Sequence, residues 1–360
     1  MPRASLGRSG LLSAALIAAF SGTAFAEDVA PVLHAAPLSR VVPMAGMTAA
    51  EAVTSYEAGP GGQARITLST NRFVPAPSDN SDQASKAEAD GRRMIYDLAG
   101  RPSLEKLTLA GPAYTLNVEG TAALLALGAR VVGPAGIDHN TMEHLLGTDS
   151  RKPAAKHRIL EMYVEHGFEP PDTPVMALHR GRIDLLDMHL ARDPDLLTRT
   201  FTIAEVFPLA PACARDPYTA QGTPVHGTTL LHISAYFDEL EIAEWLLDRG
   251  MDPDARAASD ADGFGGYTAL FSTVVSQRNF WVNYGKGQPD EARFTRLLLD
   301  RGADPNTRAS LRARLEEGHG GGPLREYRDV TPLGWGEQYH AGIFVSPESL
   351  RLIEARGGGR

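Results

Sequence analysis

The chain has 360 residues, of which 44 are acidic and 35 are lysine or arginine, for a formal net charge of −9. An acidic chain with no basic run lacks the phosphate-tracking charge of nucleic-acid or anionic-lipid binders, so no nucleic-acid partner is expected and a neutral or basic one fits better. The single cysteine, Cys213, cannot form an intramolecular disulfide, so stability must come from packing.

Residues 1–26 have the three parts of a secretory signal peptide: Arg3 and Arg8, the apolar run LLSAALIAAF, and small residues ending in Ala24, Phe25 and Ala26. Cleavage is expected after Ala26 by a Sec-type route, since no twin arginine precedes the run. The run is too short for a comfortable membrane span and no later stretch approaches that length, so no membrane insertion of the mature chain is expected. Cys213 lies far from the cleavage site, which rules out an acylated cysteine there. The leader predicts a periplasmic or secreted protein, and its Ala-rich composition makes a bacterial periplasm the first choice. Without the two leader arginines, 33 basic residues face 44 acidic ones, a net −11.

Residues 27–87 are rich in Pro, Gly, Ser and Ala and read as an N-terminal segment and linker, or a partial cap. Within them TAAEAVTSYEAG (48–59) suggests a short helix and QARITL (63–68) a strand, followed by the linker-like PAPSDNSDQASKAEAD. From residue 88 the texture changes to short helical patterns broken by Gly and Pro.

One phrase is written twice: WLLDRGMDPD at 245–254 and LLLDRGADPN at 297–306. Ile242, Trp245 and Leu246 stand at i, i+3 and i+4 before Gly250, and Phe294, Leu297 and Leu298 do the same before Gly302. Ile159, Met162 and Tyr163 before Gly167, and more weakly Ala123 and Leu124 before Gly128, repeat the pattern of an amphipathic helix closed by a left-handed glycine. A second phrase precedes the helix in GTTLLHISA (227–235), GYTALF (266–271), DVTPLGW (329–335) and TPVMAL (173–178). A threonine can cap a helix and a proline fits its first turn. One such unit cannot bury its apolar face alone, which is why the phrase recurs.

These residues resemble the ankyrin repeat. The best unit, 227–256, matches that pattern at Gly227, Thr229, Leu231, His232, Ala235, Leu246, Leu247, Gly250 and Asp252, and departs from it at Leu230, Met251 and Asp254. The resemblance implies an all-α solenoid of helix-turn-helix units with hairpin-like finger loops, spanning 88–360. The clearest units are 172–205, 226–257, 265–308 and 329–358, with weaker ones near 100–135 and 137–171. Glu354, in place of the second leucine, suits a solvent-facing end unit.

The array departs from its period of about 33 residues. Gly250 to Gly302 is 52 residues, and about 13 of the excess fall between the two helices of the fifth unit, at RNFWVNYGKGQPD (278–290). Two further long connections lie at 198–226, where FTIAEVF suggests partial order, and at 307–328, charged, Gly-rich and expected to be mobile.

The candidate partner-binding residues are aromatic, since Trp and Tyr dominate interface hot spots. Phe280, Trp281 and Tyr284 lie in the insert, which either presents them or folds back onto the helices. By the resemblance, Tyr236 and Phe237 face the concave side and Tyr267 lies at a finger base; the alternative for the first two is inter-repeat packing. Several strings imitate chemistry without completing it. HGGG (319–322) lacks a G-x-S-x-G partner, and SDADGFGG (259–266) lacks calcium-loop ligands at Ala258 and Ala269. His139, His144, His157, His166, His179 and His189 form no H-E-x-x-H and read as scattered surface and helix-end residues. Cys213 has only Arg215 nearby to lower its pKa. No catalytic residue, cofactor or metal is expected, and the reading is a monomeric, non-enzymatic protein-binding module of the cell envelope. The alternative is an enzyme with its site in residues 27–100 or among the histidines.

Overall fold

The computed structural model describes residues 40–41, 51–58, 64–70, 92–98, 109–126, 129–133, 136–148, 150–216, 218, 222–284, 291–315 and 321–360. The leader and the linker at 75–90 lie outside them. The chain divides into two compact units, Met1–Leu145 with Arg158–Glu169, and Leu146–His157 with Pro170–Arg360.

In the first unit, strands β1 (Arg40–Val41), β2 (Glu51–Ala58), β3 (Ala64–Thr70) and β4 (Arg92–Leu98) form an antiparallel sheet in chain order. The stretch 48–59, expected to be helical, is instead the strand β2, paired from Glu51 opposite Thr70 to Ala58 opposite Ala64. Its Ala and Glu favour a helix, but Val53, Thr54 and Tyr56 suit a pleated strand, and Gly59-Pro60-Gly61-Gly62 follows as turn sequence before β3. β3 answers to the strand expected at 63–68. β4 pairs with β3 along its length, so the stretch 92–98 belongs to the sheet and not to the helical array. Helices α1 (Ala110–Thr115) and α2 (Val118–Ala126), the short hairpin β5 (Val132–Gly133) and β6 (Gly136–Ile137), and α3 (His139–Leu146) follow. α4 (Pro153–Glu165) contributes residues to both units, and in the first unit buries Ile159, Leu160, Met162 and Tyr163.

The second unit is a stack of helical hairpins. They are α5 (Pro174–His179) with α6 (Ile183–Arg192), α8 (Leu230–Phe237) with α9 (Leu240–Asp248), α10 (Ala269–Val274) with α12 (Arg293–Asp300), and α13 (Pro332–Gln338) with α14 (Pro347–Ala355). First helices pack on first helices, α8 on α10 on α13, and second on second, α9 on α12 on α14. That arrangement buries Leu230, Leu231, Ile242, Leu246, Leu270, Phe271, Leu298, Trp335 and Ile353. α6 is tied to α9 by the Trp245 indole, which donates to Asp187 at 3.3 Å, and by the Arg249–Asp187 ion pair, with Arg249 lying 4.2 Å over the Trp245 ring.

The threonine caps are realised at Thr173, which accepts from the Met176 N–H, and at Thr331, which accepts from the Gly334 N–H. Thr229 behaves differently. Its hydroxyl meets His232 Nδ1 at 2.9 Å, while His232 Nε2 donates to the Tyr267 carbonyl of the next unit at 2.9 Å. Gly250 and Gly302 close α9 and α12 at φ of 87° and 92°. In the 198–226 connection, α7 (Ile203–Val206) starts in a capping box formed by Thr202 and Glu205.

Neighbouring fingers are joined through the backbone. Phe201 pairs with Thr228, the Ala258 N–H donates to Gly227 at 2.7 Å, and the Gly265 N–H donates to Ser310 at 2.7 Å. Gly265 is required where the fingers meet. Its φ is 126°, and a Cβ there would stand 2.1 Å from the Ala258 carbonyl oxygen. Gly265→Ala should therefore cost about 1–3 kcal/mol, read as a lower urea midpoint at unchanged slope.

The fold departs from all-α a second time. The connection expected to be mobile forms a hairpin, β7 (Ala309–Leu315) with β8 (Gly321–Val330), with register shifts between Ala309 and Leu311 and between Ala313 and Leu315. β8 carries Pro323 and the charged run Arg325, Glu326, Arg328 and Asp329, with Asp329 at φ of 50°, features that discourage pairing at a strand edge.

Candidate interaction surface

Four of the six aromatic residues expected to meet a partner are instead part of the core. Tyr236, Phe237, Tyr267 and Phe280 are each 3–4% exposed. The Tyr267 hydroxyl donates to the Pro224 carbonyl at 2.7 Å, its ring meets the edge of His232, and burial pushes its pKa well up. Phe280 stacks on Phe344 at 5.2 Å. Phe280 lies on α11 (Gln277–Tyr284), the helix that the insert adds between α10 and α12. Asn279 Nδ2 donates to the Thr273, Val274 and Phe344 carbonyls, and Asn283 Nδ2 to those of Ile343 and Val345. α11 thus folds back as a clamp on the hairpin of α13 and α14. Trp281 and Tyr284 belong to the same helix, and their side chains lie outside the described residues.

Tyr236 and Phe237 are buried by inter-repeat packing with a charged lid. The Arg151 guanidinium lies 5.0 Å from the Tyr236 ring and 5.4 Å from that of Phe237, and its Nε donates to the Tyr236 carbonyl. The Lys156 ammonium lies 4.5 Å over Phe237 and pairs with Glu239 at 2.7 Å. Lys156 and Glu239 are each 3% exposed. His157 meets the same carboxylate at 2.9 Å. His179 is fully buried, with Nε2 2.8 Å from the Val206 carbonyl and Nδ1 3.4 Å from Lys156. Desolvation, with the Lys156 charge beside it, holds the His179 pKa well below the ordinary value. Burial also lowers Lys156, against the pull of Glu239. For Glu239 burial acts upward, but Lys156 and His157 outweigh it and hold the carboxyl below its usual range. The pair is therefore ionic.

His179 is a helix-end residue, the last of α5, but is buried and not on the surface, and His157 is half-buried; Lys156 and Glu239 were missed in the sequence. Glu239 follows Lys156 by 83 positions, a separation at which no local pattern connects them.

A cleft of about 430 Å³ opens between α5, α6 and α7. Val175, Leu196 and Phe201 give it an apolar floor. Its rim is charged: Asp172 pairs with Arg192 at 2.9 Å and His189 at 3.2 Å, and Arg199 pairs with Glu205 at 2.7 Å while lying 4.9 Å over Phe201. No aromatic pattern marked this cleft in the sequence. Its only local signal was the long connection at 198–226.

A family model described as ankyrin repeat matches residues 226–258, the segment carrying α8, α9 and the Thr229–His232 contact. Residues 226–258 are an ankyrin repeat. Among solved structures, the chain is similar to an ankyrin repeat domain from Acinetobacter baumannii AYE at 17% identity, with 70% of this chain and 98% of that chain covered and a TM-score of 0.29. No curated protein sequence matches it.

In the finger at 259–266 the acidic side chains are paired with an arginine. Arg312 from β7 meets Asp260 at 3.1 Å and Asp262 at 2.9 Å, reaches Glu326 at 3.2 Å, and lies 3.8 Å over Phe264. Among the described residues no group of three or more His, Cys, Asp and Glu stands close enough to hold a metal ion, and no helix is long and apolar enough to cross a membrane.

Proposed function

We propose that this ankyrin-repeat chain is a non-enzymatic protein-binding module of the bacterial cell envelope, exported by cleavage after Ala26 and acting as a monomer. The observation that carries the reading is the cleft between α5, α6 and α7, an apolar floor rimmed by exposed ion pairs beside an ankyrin unit. Ankyrin repeats generally mediate protein–protein contact, and the net acidic charge favours a basic partner segment laid across that rim. An apolar side chain would enter toward Phe201 and Leu196, while the rim charges would select its flanks. The insert helix carrying Trp281 and Tyr284 is the second contact surface in this proposal.

The test is a crosslinking capture from the exporting cell with three chains: wild type, Asp172→Lys, and Trp281→Ala with Tyr284→Ala. Asp172 is 69% exposed, so its reversal should leave thermal stability nearly unchanged. Loss of the captured partner by about tenfold or more in the Asp172→Lys variant supports the cleft and its basic occupant, and loss in the aromatic variant supports the insert. A partner held equally by all three chains would remove both surfaces. Envelope fractionation with mass measurement of the mature chain tests export, and an intact leader on a cytoplasmic protein would refute it.

A further inference from the structure

The buried network around His179 has an arrangement that only one protonation state satisfies. Val206 offers a carbonyl, which can only accept, so His179 Nε2 carries the proton and donates at 2.8 Å. In the neutral ring Nδ1 is then a lone pair, and it faces the Lys156 ammonium at 3.4 Å. Lys156 in turn donates to Glu239, which His157 also contacts. The edge of Phe237 closes the site, its ring centroid 4.6 Å from that of His179. A proton added at Nδ1 would set an N–H against the Lys156 ammonium, in a ring that is fully buried.

Nothing nearby compensates that charge. From α4 and the segment before it come Lys156, His157 and Arg151, all cationic or able to become so. From the turn between α8 and α9 comes Glu239, already engaged by Lys156 and His157, while Asp238 beside it is turned to Arg278 at 3.2 Å. From α7 comes only the Val206 carbonyl, Glu205 being paired with Arg199. The segment that Lys156 and Arg151 anchor covers Tyr236 and Phe237.

We propose that His179 is a proton-operated latch: unprotonated at Nδ1 it holds Lys156 and the segment 150–157 over Tyr236 and Phe237, and protonation releases that segment and uncovers the two rings. The lowered pKa of His179 agrees with a neutral latch in the closed state. Opening frees the ring to take up one proton at its ordinary affinity, so the opening equilibrium is driven by acid below a pH of about 6.5.

Hydrogen exchange of the full chain between pH 8 and pH 5 tests the latch. Protection factors of the amides of 153–157, Val206, Tyr236 and Phe237 should fall about tenfold per pH unit below about pH 6.5. The His179→Gln variant can donate to Val206 and accept from Lys156 without titrating, and its protection should stay level over that range. Amides of Phe294–Leu299 should respond alike in both proteins. Level protection in wild type, or a parallel fall in the glutamine variant, would overturn the proposal. Should the variant not fold, the NMR titration of the His179 ring in wild type decides: a ring that protonates while Tyr236 and Phe237 stay protected refutes the latch, and one that protonates only as protection is lost supports it.

Discussion

Replacing Lys156 by methionine alone is expected to lower the free energy of unfolding by about 3–5 kcal/mol, because Glu239 would remain ionised and buried with only His157 beside it. Glu239→Leu alone should cost a similar amount by stranding the ammonium. The double variant should recover most of the loss, to within about 1–2 kcal/mol of wild type, since two well-packed apolar groups often replace a buried pair at little cost. Urea denaturation of the four proteins gives the double-mutant cycle directly. Additive losses in the double variant would show that the two side chains act by packing and not as a pair.

Acid should destabilise the protein well before its carboxylates titrate, and His232 should account for about 3 kcal/mol of the loss. Desolvation depresses the His232 pKa in the folded protein to about 4, from an ordinary value near 6.5, while its hydrogen bond to the Tyr267 carbonyl works in the other direction. Between these values the unfolded chain binds a proton that the folded chain does not. The contribution is therefore fully present above about pH 6.5 and is lost as pH falls toward 4, at about 1.4 kcal/mol per unit. His179 is depressed in the same direction and adds to the slope. Measured in a His179→Gln background, a His232→Gln exchange should flatten the remaining dependence of urea midpoint on pH between 6.5 and 4. An unchanged slope would mean that His232 is not the group being protonated.

The helical hairpins from α8 onward were legible because a short unit must advertise its packing locally: leucines at i, i+3 and i+4, a glycine to close, a threonine to begin. The doubled phrase also located the insert, whose first part is the helix α11. Three things were not legible for three physical reasons. β2 is built from residues of mixed propensity, and its pairing with β3 overrode the helical reading. The 307–328 stretch looked mobile because its glycines and charges were counted, whereas its order comes from β7–β8 pairing and from Arg312 reaching into the neighbouring finger. The aromatic residues were chosen by type, and type does not distinguish a hot spot from a core ring; Arg151, 85 positions before Tyr236, and Lys156, 81 before Phe237, decide it for these two rings. The cleft at Phe201 and Arg199 left no pattern at all, since it is assembled from the ends of three short helices.

The clamp made by α11 bears on how heat takes the array apart. In a linear stack each unit is held by its neighbours, and an end unit, with a neighbour on one side only, is the first to fray. Here the final hairpin is gripped a second time: Asn279 and Asn283 hold the Ile343–Val345 backbone, Phe280 covers Phe344, and the Ser276 and Ser346 amides bond across to Phe344 and Val274. The fifth and sixth units are therefore expected to melt as one cooperative block, because the insertion that lengthens the one repeat also fastens it to the next.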